Sequence, residues 1–209
     1  MIVRISGISK QFGSTIAIRD LSVTLPEQGI VAIMGPSGCG KTTLLHILAG
    51  LQRADRGTVQ CRPSSIAYVF QEPRLLPWRT AAENIRLAGL SSSREPSRRA
   101  EEWLDAMGLS DCAARYPEEL SGGMRQRVAI ARALYCDSDL LLMDEPFKGL
   151  DEATRMQVME LVRSERSTPH KLTLIVTHDK AEAAFLADYL LTFSASPASS
   201  YTMEQISHG

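Results

Sequence analysis

The sequence predicts an α/β fold with a parallel central sheet. Three apolar runs carry this prediction, because strands that are buried on both faces are apolar throughout. The runs cover residues 30–34, 140–143 and 172–176. Each is followed by a short polar or glycine-rich turn and then by a segment with helical periodicity. Strands that alternate with helices in this order form parallel sheets, so we expect a core of this kind.

The composition is that of an ordinary globular protein, since 44% of the 209 residues are hydrophobic and 22% are charged. None of the apolar runs approaches the roughly 20 residues that a membrane-spanning helix needs. The 23 basic and 24 acidic residues give a net charge of -1, so no broad basic surface is available to hold nucleic acid. We therefore expect a chain with no transmembrane segment and no nucleic-acid partner.

The first 25 residues alternate between apolar and polar side chains, which is typical of half-buried strands. Ile2, Arg4 and Ser6 begin the pattern, and residues 16–25 continue it after a turn at residues 12–14. Consecutive strands joined by a short turn pair in antiparallel fashion. A small antiparallel sheet is therefore expected near the N-terminus.

In the middle of the chain the sequence pattern changes from strand-like to helical. Strand-like residues 57–70 lead into a stretch with prolines at its ends and helical periodicity, and a further helix is predicted over residues 124–135. We expect a helical subdomain inserted at about residues 72–130 within a single domain that spans residues 1–209. After a last strand at Tyr189–Phe193, the tail rich in Ser, Ala and Pro is expected to be a loop with little function.

A glycine-rich loop follows the first apolar run. Its eight residues match the pattern GxxxxGK[ST] and stand between a strand and a helix, which is the context of phosphate-binding loops. Glycines let several backbone N–H groups converge on one anion, and the helix start adds its positive dipole end. In this chemistry the lysine reaches the β- and γ-phosphates, and the threonine hydroxyl ligates Mg²⁺. The residues are Gly35, Pro36, Ser37, Gly38, Cys39, Gly40, Lys41 and Thr42.

The second apolar run ends in two carboxylates, Asp144 and Glu145. In nucleotide hydrolases with a phosphate loop, the aspartate at the end of such a strand helps to hold Mg²⁺. The next acid can act as a general base on the attacking water or position that water. A second glycine-rich helix start lies upstream, where Ser121 is a good N-cap ahead of Gly122 and Gly123. The chain thus has two candidate phosphate-binding helix starts.

Together these motifs resemble those of the nucleotide-binding subunits of ATP-binding cassette (ABC) transporters. Residues 35–43, which end with Thr43, resemble Walker A, residues 140–145 resemble Walker B, and residues 120–127 resemble the ABC signature. The resemblance covers about residues 2–193. It implies a P-loop nucleoside triphosphatase core with a small antiparallel sheet and an inserted helical subdomain. It also implies that the chain binds ATP and Mg²⁺.

The resemblance also implies roles for single residues. Phe12 stands where an aromatic ring stacks on adenine; the alternative is that its ring belongs to the hairpin core. Gln71 stands where the Q-loop glutamine senses Mg²⁺ and the γ-phosphate. Asp151 closes a segment that resembles the D-loop, and His178 stands where the switch histidine contacts the γ-phosphate.

A working assembly follows from the resemblance. Two copies are expected to pair head to tail, so that Ser121–Gly123 of one copy bind the γ-phosphate held by Walker A of the other. Lys41 and His178 would supply charge and contacts during ATP hydrolysis, and Glu145 would position or activate the water. The expected partners are a second copy, integral membrane permease subunits and a solute-binding protein, at the cytoplasmic face of the cell membrane. Two other classes stay open: a soluble ABC ATPase of DNA repair or translation, and a nucleotide-dependent clamp that does not hydrolyse ATP.

The segment Leu76-Pro77-Trp78, shortly after Gln71, is similar to the nitrate, sulfonate and taurine importer group and favours import. In this family the segment meets the membrane partner, so Trp78 either faces that partner or packs inside its own subunit. Two residues depart from the family pattern. Met124 stands where glutamine is usual, and Lys148 stands where a small residue is usual.

Overall fold

The computed structural model describes residues 2–61, 63–89, 99–164 and 171–206. The chain divides into two compact units, Met1–Pro63 with Arg166–Gly209 and Ser64–Glu165. Within the described ranges, no helix is both long and apolar enough to cross a bilayer.

The described ranges contain nine strands, six α-helices and two short 3₁₀ helices, Ser110–Cys112 and Pro117–Glu119. The strands are β1 (Val3–Phe12), β2 (Thr15–Leu25), β3 (Gly29–Met34), β4 (Arg56–Gln60), β5 (Ile66–Val69), β6 (Leu140–Asp144), β7 (Leu172–Val176), β8 (Tyr189–Phe193) and β9 (Tyr201–Gln205). The helices are α1 (Lys41–Leu48), α2 (Ala81–Gly89), α3 (Ala100–Ala106), α4 (Gly122–Tyr135), α5 (Glu152–Ser164) and α6 (Lys180–Leu186).

In the first unit, β1 is the centre of a three-stranded antiparallel sheet. It pairs with β2 along its whole length and with β4 on its other edge. Val3 and Ile5 alternate with exposed residues, and after an irregularity in the pairing Ile8 is buried as well. The antiparallel sheet predicted near the N-terminus is confirmed.

The same unit contains a parallel arrangement of strands. β3 pairs with β7 on one side and with β8 on the other, in parallel in both cases. The apolar runs that make up β3 and β7 are buried almost throughout, which explains why they do not alternate. α1 contacts β7, and α6 contacts β3.

The Ser/Ala/Pro stretch at residues 194–200 forms no strand, as expected, but a strand follows it, so the expectation that Tyr189–Phe193 is the last strand is wrong. β9 pairs antiparallel with β8, from Tyr189 opposite Gln205 to Phe193 opposite Tyr201. The pairing satisfies backbone groups along one side of β8 that would otherwise lack a strand partner. Such a long-range partner does not show in the local pattern of the tail.

The second unit combines two parallel strands with helices. β5 pairs with β6, and α2, α3 and α4 contact one another while α4 also contacts β5. Ile85, Trp103 and Val128 are buried in this unit. The predicted helical segment at 72–130 contains α2, α3 and most of α4. The strand-like residues 57–70 are two separate strands, β4 in the first unit and β5 in the second.

Candidate active site

The loop between β3 and α1 has a conformation that requires glycine at two positions. Gly35 and Gly40 have φ angles of 147° and 105°, which L side chains rarely adopt. A Cβ on Gly40 would lie 2.4 Å from the carbonyl oxygen of Ala17, and one on Gly35 would lie 2.9 Å from Cβ of Phe193. A side chain at either position would therefore clash with neighbouring atoms.

Lys41 opens α1, and its ammonium is buried inside the loop. The residue is only 5% exposed, and Nζ donates to the carbonyl oxygens of Gly35 at 2.9 Å and Pro36 at 2.8 Å. Among the described residues, no carboxylate forms an ion pair with this ammonium. A buried cation without an anionic partner is costly, so an anion that reaches it is favoured. The loop, the helix start and this charge together fit the phosphates of ATP.

The remaining loop residues divide between the surface and the interior. Ser37 and Gly38 are exposed, Cys39 is buried with its Sγ 3.9 Å from Nζ of Lys41, and Thr42 is exposed in the first turn of α1. Thr43 is half-buried beside it. The Thr42 hydroxyl therefore stands on the accessible side of the helix start.

The segment after β8 forms hydrogen bonds with the phosphate loop. The N–H of Ala198 donates to the carbonyl oxygen of Cys39 at 2.9 Å, and the Ser196 hydroxyl donates to that of Gly38 at 3.5 Å. The carbonyl oxygen of Ala198 in turn accepts from the N–H of Arg19 at 2.9 Å. The tail expected to have little function thus helps to hold the phosphate loop in place.

His178 stands in the turn between β7 and α6 and is exposed. Together with Gly35 and Pro36 it lines a cavity of about 670 Å³. The N–H of Thr177 donates to the carbonyl oxygen of Ile33 at 3.3 Å, which keeps this turn beside the end of β3. The structure thus brings the expected switch histidine to the phosphate loop.

Phe12 stands at the end of β1, and 48% of it is exposed. The alternative interpretation, in which its ring belongs to the hairpin core, is therefore wrong. Nζ of Lys10 lies 5.3 Å from the ring centroid. Phe12 does not line the cavity beside His178, so its ring offers a stacking surface outside that cavity.

In the second unit, Asp144 and Glu145 stand at the end of β6 as expected. Asp144 is 3% exposed, and Glu145 has a φ of 47°, which is uncommon for a residue with a side chain and is found at functional sites. Nε2 of Gln71 lies 3.4 Å from Oε2 of Glu145, so the Q-loop glutamine and the expected base are neighbours. Nζ of Lys148 lies 3.1 Å from the same oxygen. Lys148 departs from the family pattern, but nothing in the sequence predicts this ion pair.

The signature loop enters α4 as predicted. Ser121 is the N-cap, because its Oγ accepts the N–H of Met124 at 3.2 Å. The helix begins at Gly122, two residues earlier than its periodicity predicts. A Cβ on Gly123 would lie 3.6 Å from the carbonyl oxygen of Gly149, so the signature and the D-loop are neighbours within this unit.

Polar side chains of α4 connect the signature helix to two other loops of the second unit. Nε2 of the buried Gln126 donates to the carbonyl oxygen of Pro146 at 2.9 Å, next to Glu145. The guanidinium of Arg132 donates to the carbonyl oxygens of Pro73 and Arg74 at 3.2 and 3.1 Å, just after Gln71. The sequence did not reveal these positioning residues, because their acceptors are backbone carbonyls distant in sequence.

Asp151 stands at the start of α5. Its carboxylate accepts the N–H of Thr154 at 3.0 Å and the hydroxyl of the same residue at 2.8 Å. These hydrogen bonds, together with the charge of Arg127, lower the pKa of Asp151. The carboxylate therefore caps its own helix, and the nucleotide contact expected of it stays a prediction.

The expected Mg²⁺ ligands are divided between the two units, with Thr42 in the first and with Gln71 and Asp144 in the second. In the part of the chain that the structure describes, no three His, Cys, Asp or Glu side chains cluster as a metal site. A cage of that kind is not needed, because Mg²⁺ bound with a nucleotide takes one or two carboxylates and completes its shell with phosphates and water. The hydroxyl of Thr42, the carboxylate of Asp144 and the amide oxygen of Gln71 are hard oxygen donors that suit this ion.

Trp78 stands on a well-anchored loop of the second unit and is 68% exposed. The fully buried Asn84 anchors the loop, since its Oδ1 accepts the N–H of Leu76 at 2.8 Å and its amide donates to the carbonyl oxygens of Leu76, Arg79 and Thr80. The interpretation in which Trp78 packs inside its own subunit is wrong. An exposed tryptophan on a fixed loop is the kind of anchor that protein interfaces favour.

The sequence matches the ABC transporter family over residues 18–148, which is more than half of the chain. It is 44% identical over 190 residues to the aliphatic sulfonates import ATP-binding protein SsuB 1 of Pseudomonas syringae pv. syringae, with 90% of this chain and 78% of that relative covered. It is 46% identical over 189 residues to the SsuB 2 protein of Frankia alni, with 90% and 76% covered.

Solved structures share the fold along almost the whole chain. One is the dimeric structure of an ATP-binding cassette in a post-hydrolysis state bound to ADP and Pi, with a TM-score of 0.85, 29% identity and coverage of 99% of this chain and 100% of that chain. A second dimeric structure, of the same cassette, has the same score and coverage at 27% identity. The predicted fold class and family resemblance are confirmed. The chain belongs to the ABC transporter family, in which it is an ATP-binding cassette that hydrolyses ATP.

Proposed function

We propose that Walker A of this chain holds ATP through the loop backbone and Lys41, in an importer that takes up small solutes. The observation that carries the nucleotide assignment is the buried Lys41 ammonium, which is bonded to two loop carbonyls and forms no ion pair with a described carboxylate. The triphosphate would supply the missing negative charge, and the exposed ring of Phe12 would stack on the adenine.

Hydrolysis needs a positioned water and neutralised charge more than covalent help. We assign the water to Glu145, which has a positive φ and directly precedes Pro146, whose carbonyl oxygen accepts a hydrogen bond from the buried Gln126. Lys41 and His178 would contact the β- and γ-phosphates. Mg²⁺, held by Thr42, Asp144 and Gln71, would neutralise the phosphate oxygens when bound.

The signature supplies a second phosphate site. Ser121 and Gly122 are exposed at the start of α4, a helix of 14 residues, so their backbone and hydroxyl groups are accessible to a ligand from another molecule. We propose that they receive the γ-phosphate held by Walker A of a second copy. One similar cassette, which is dimeric in two solved structures, supports this arrangement.

The proposed membrane partner is a permease that docks on the loop of Trp78, at the inner face of the membrane, with a solute-binding protein on the opposite side. Import is supported by the relatives, which are import ATP-binding proteins for aliphatic sulfonates. We propose aliphatic sulfonates as the solute class. ATP-driven uptake of a labelled alkanesulfonate into cells that hold the permease and this subunit tests that assignment, and uptake that is independent of this subunit contradicts it.

Glu145→Gln tests the catalytic assignment. The variant keeps the size of the side chain and removes its charge, so ATP binding should persist while steady-state hydrolysis falls by about 10² or more, as for a lost general base. Lys41→Ala should lose tight ATP binding as well as turnover. Binding is measured by calorimetry and hydrolysis by phosphate release.

Glu152→Gln is the matched control, because Glu152 is an exposed glutamate at the start of α5 and pairs only locally with Arg155. It should leave both readings unchanged. Unaltered hydrolysis in Glu145→Gln would place the base elsewhere. Unaltered ATP affinity in Lys41→Ala would contradict the phosphate-loop assignment.

A further inference from the structure

Asp55, just before β4, binds the end of β1 through three hydrogen bonds. Its Oδ1 accepts from Nζ of Lys10 at 2.7 Å, and its Oδ2 accepts the N–H of Gln11 at 2.8 Å. Its own N–H donates to the carbonyl oxygen of Ser9 at 2.8 Å. The hydrogen bond to Lys10, followed by that to Gln11, lowers the pKa of the Asp55 carboxyl, which is consistent with an ionised clamp. One residue thus fixes three consecutive positions that immediately precede Phe12.

Lys10 connects this clamp to the aromatic ring. Lys10 and Phe12 are two residues apart on β1, where the pairing with β2 is irregular between Ile8 and Gln11. Lys10 is only 9% exposed, Phe12 is 48% exposed, and the ammonium lies over the ring at 5.3 Å from its centroid. The cation therefore covers one face of a ring that remains open to a ligand.

An ammonium at this distance attracts the ring and restrains its rotation. A phenylalanine at the end of a hairpin would otherwise lose rotamer freedom when a base stacks on it, and that loss would weaken binding. The carboxylate of Asp55 keeps the ammonium in place, since an unpaired buried lysine would turn towards water. The ring is thus pre-oriented before a base arrives.

We propose that Lys10 and Asp55 are positioning residues for the nucleobase: they hold the Phe12 ring in the orientation that stacks on adenine. This inference rests on the proposed stacking role of Phe12. Lys10 and Asp55 would not touch the nucleotide themselves. They would affect the binding of its base, through the Phe12 ring, and not the binding of its phosphates.

The test compares two ligands on the full chain, ATP and inorganic tripolyphosphate, by calorimetry. Lys10→Gln removes the cation, and its ATP affinity should fall about two- to five-fold, the range expected for a cation–π contact with a partly exposed ring, while tripolyphosphate affinity stays unchanged. Asp55→Asn should behave in the same way, and Lys10→Arg should retain most of the ATP affinity because it keeps the charge. In the Phe12→Ala background, Lys10→Gln should have no further effect on ATP.

Arg19→Gln is the control for general electrostatics, because Arg19 is exposed and lines the same surface pocket as Lys10 and Asp55. It should leave both affinities unchanged. Equal weakening of ATP and tripolyphosphate in Lys10→Gln would overturn the proposal, since it would show a plain charge effect on the phosphates. A further loss of ATP affinity when Lys10→Gln is added to Phe12→Ala would also overturn it. If Phe12→Ala itself leaves ATP affinity unchanged, the stacking assignment fails, whereas the phosphate-loop assignment is judged by Lys41→Ala alone.

Discussion

Replacement of Trp78 by alanine separates a docking role from a folding role. Because Trp78 is 68% exposed, its truncation removes little buried surface, and surface substitutions of this kind change the free energy of unfolding by about 0.5 kcal/mol or less. For a chain of this length a change of 1 kcal/mol moves the melting temperature by about 2–4 °C. The lone subunit should therefore melt within about 2 °C of the wild type.

Trp103 is the matched control, since it is the same residue type in the same unit but only 1% exposed. Trp103→Ala leaves a cavity and should cost about 3–5 kcal/mol, which corresponds to a melting temperature lower by roughly 6–20 °C. The two variants thus differ sharply in the melt of the isolated subunit.

Trp78→Ala should weaken assembly with the permease strongly, although it hardly changes the melting temperature. If its indole fills a pocket of the partner, truncation should cost about 2 kcal/mol or more, which is roughly a 30-fold loss of affinity. The assay is co-purification with the permease from detergent, titrated over subunit concentration, alongside the melt. A large fall in the melting temperature of Trp78→Ala, or assembly at wild-type concentrations, would refute the docking role.

Two further outcomes follow from the described contacts. Ser121→Arg places a bulky cation at the start of α4 and leaves Walker A intact. ATP binding by the monomer should therefore persist while ATP turnover disappears. Turnover at the wild-type rate would contradict a role for the signature. The stability contributed by the Asp55 clamp should depend on pH, because the pKa of Asp55 is lower in the folded protein than in the unfolded chain. This contribution to the free energy of unfolding is fully present above the unfolded pKa of about 3.9. It is lost as the pH falls through the lower pKa of the folded protein. The difference in unfolding free energy between wild type and Asp55→Asn should therefore shrink below about pH 4, and a difference that stays constant down to pH 3 would contradict the clamp.

Local sequence signals were sufficient wherever a motif carries its own geometry. The phosphate loop could be predicted because a glycine pattern between a strand and a helix permits few conformations, and Ser121 could be predicted as a cap because capping involves residues three apart. The exposed position of Phe12 could not be predicted, since period-two alternation does not distinguish a hairpin end from a hairpin core.

Contacts distant in sequence could not be predicted. The sequence of the tail does not indicate that β9 pairs with β8. In the sequence, Asn84 is only one polar residue of a helix, although its four hydrogen bonds anchor the loop of Trp78. The clamp between Lys10 and Asp55 spans 45 residues and depends on how β4 is placed beside β1. Such partners are set by tertiary packing, which local pattern does not encode.

The most direct test of an ATP site shared between two copies is the mass of Glu145→Gln in solution, measured by light scattering with and without ATP. Two ATP-binding sites shared between two copies predict that this variant, which binds ATP without turning it over, becomes a dimer at saturating ATP and remains a monomer without it. The double variant Ser121→Arg with Glu145→Gln should stay monomeric with ATP bound. A monomer of Glu145→Gln at saturating ATP, or a dimer of the double variant, would contradict the shared site.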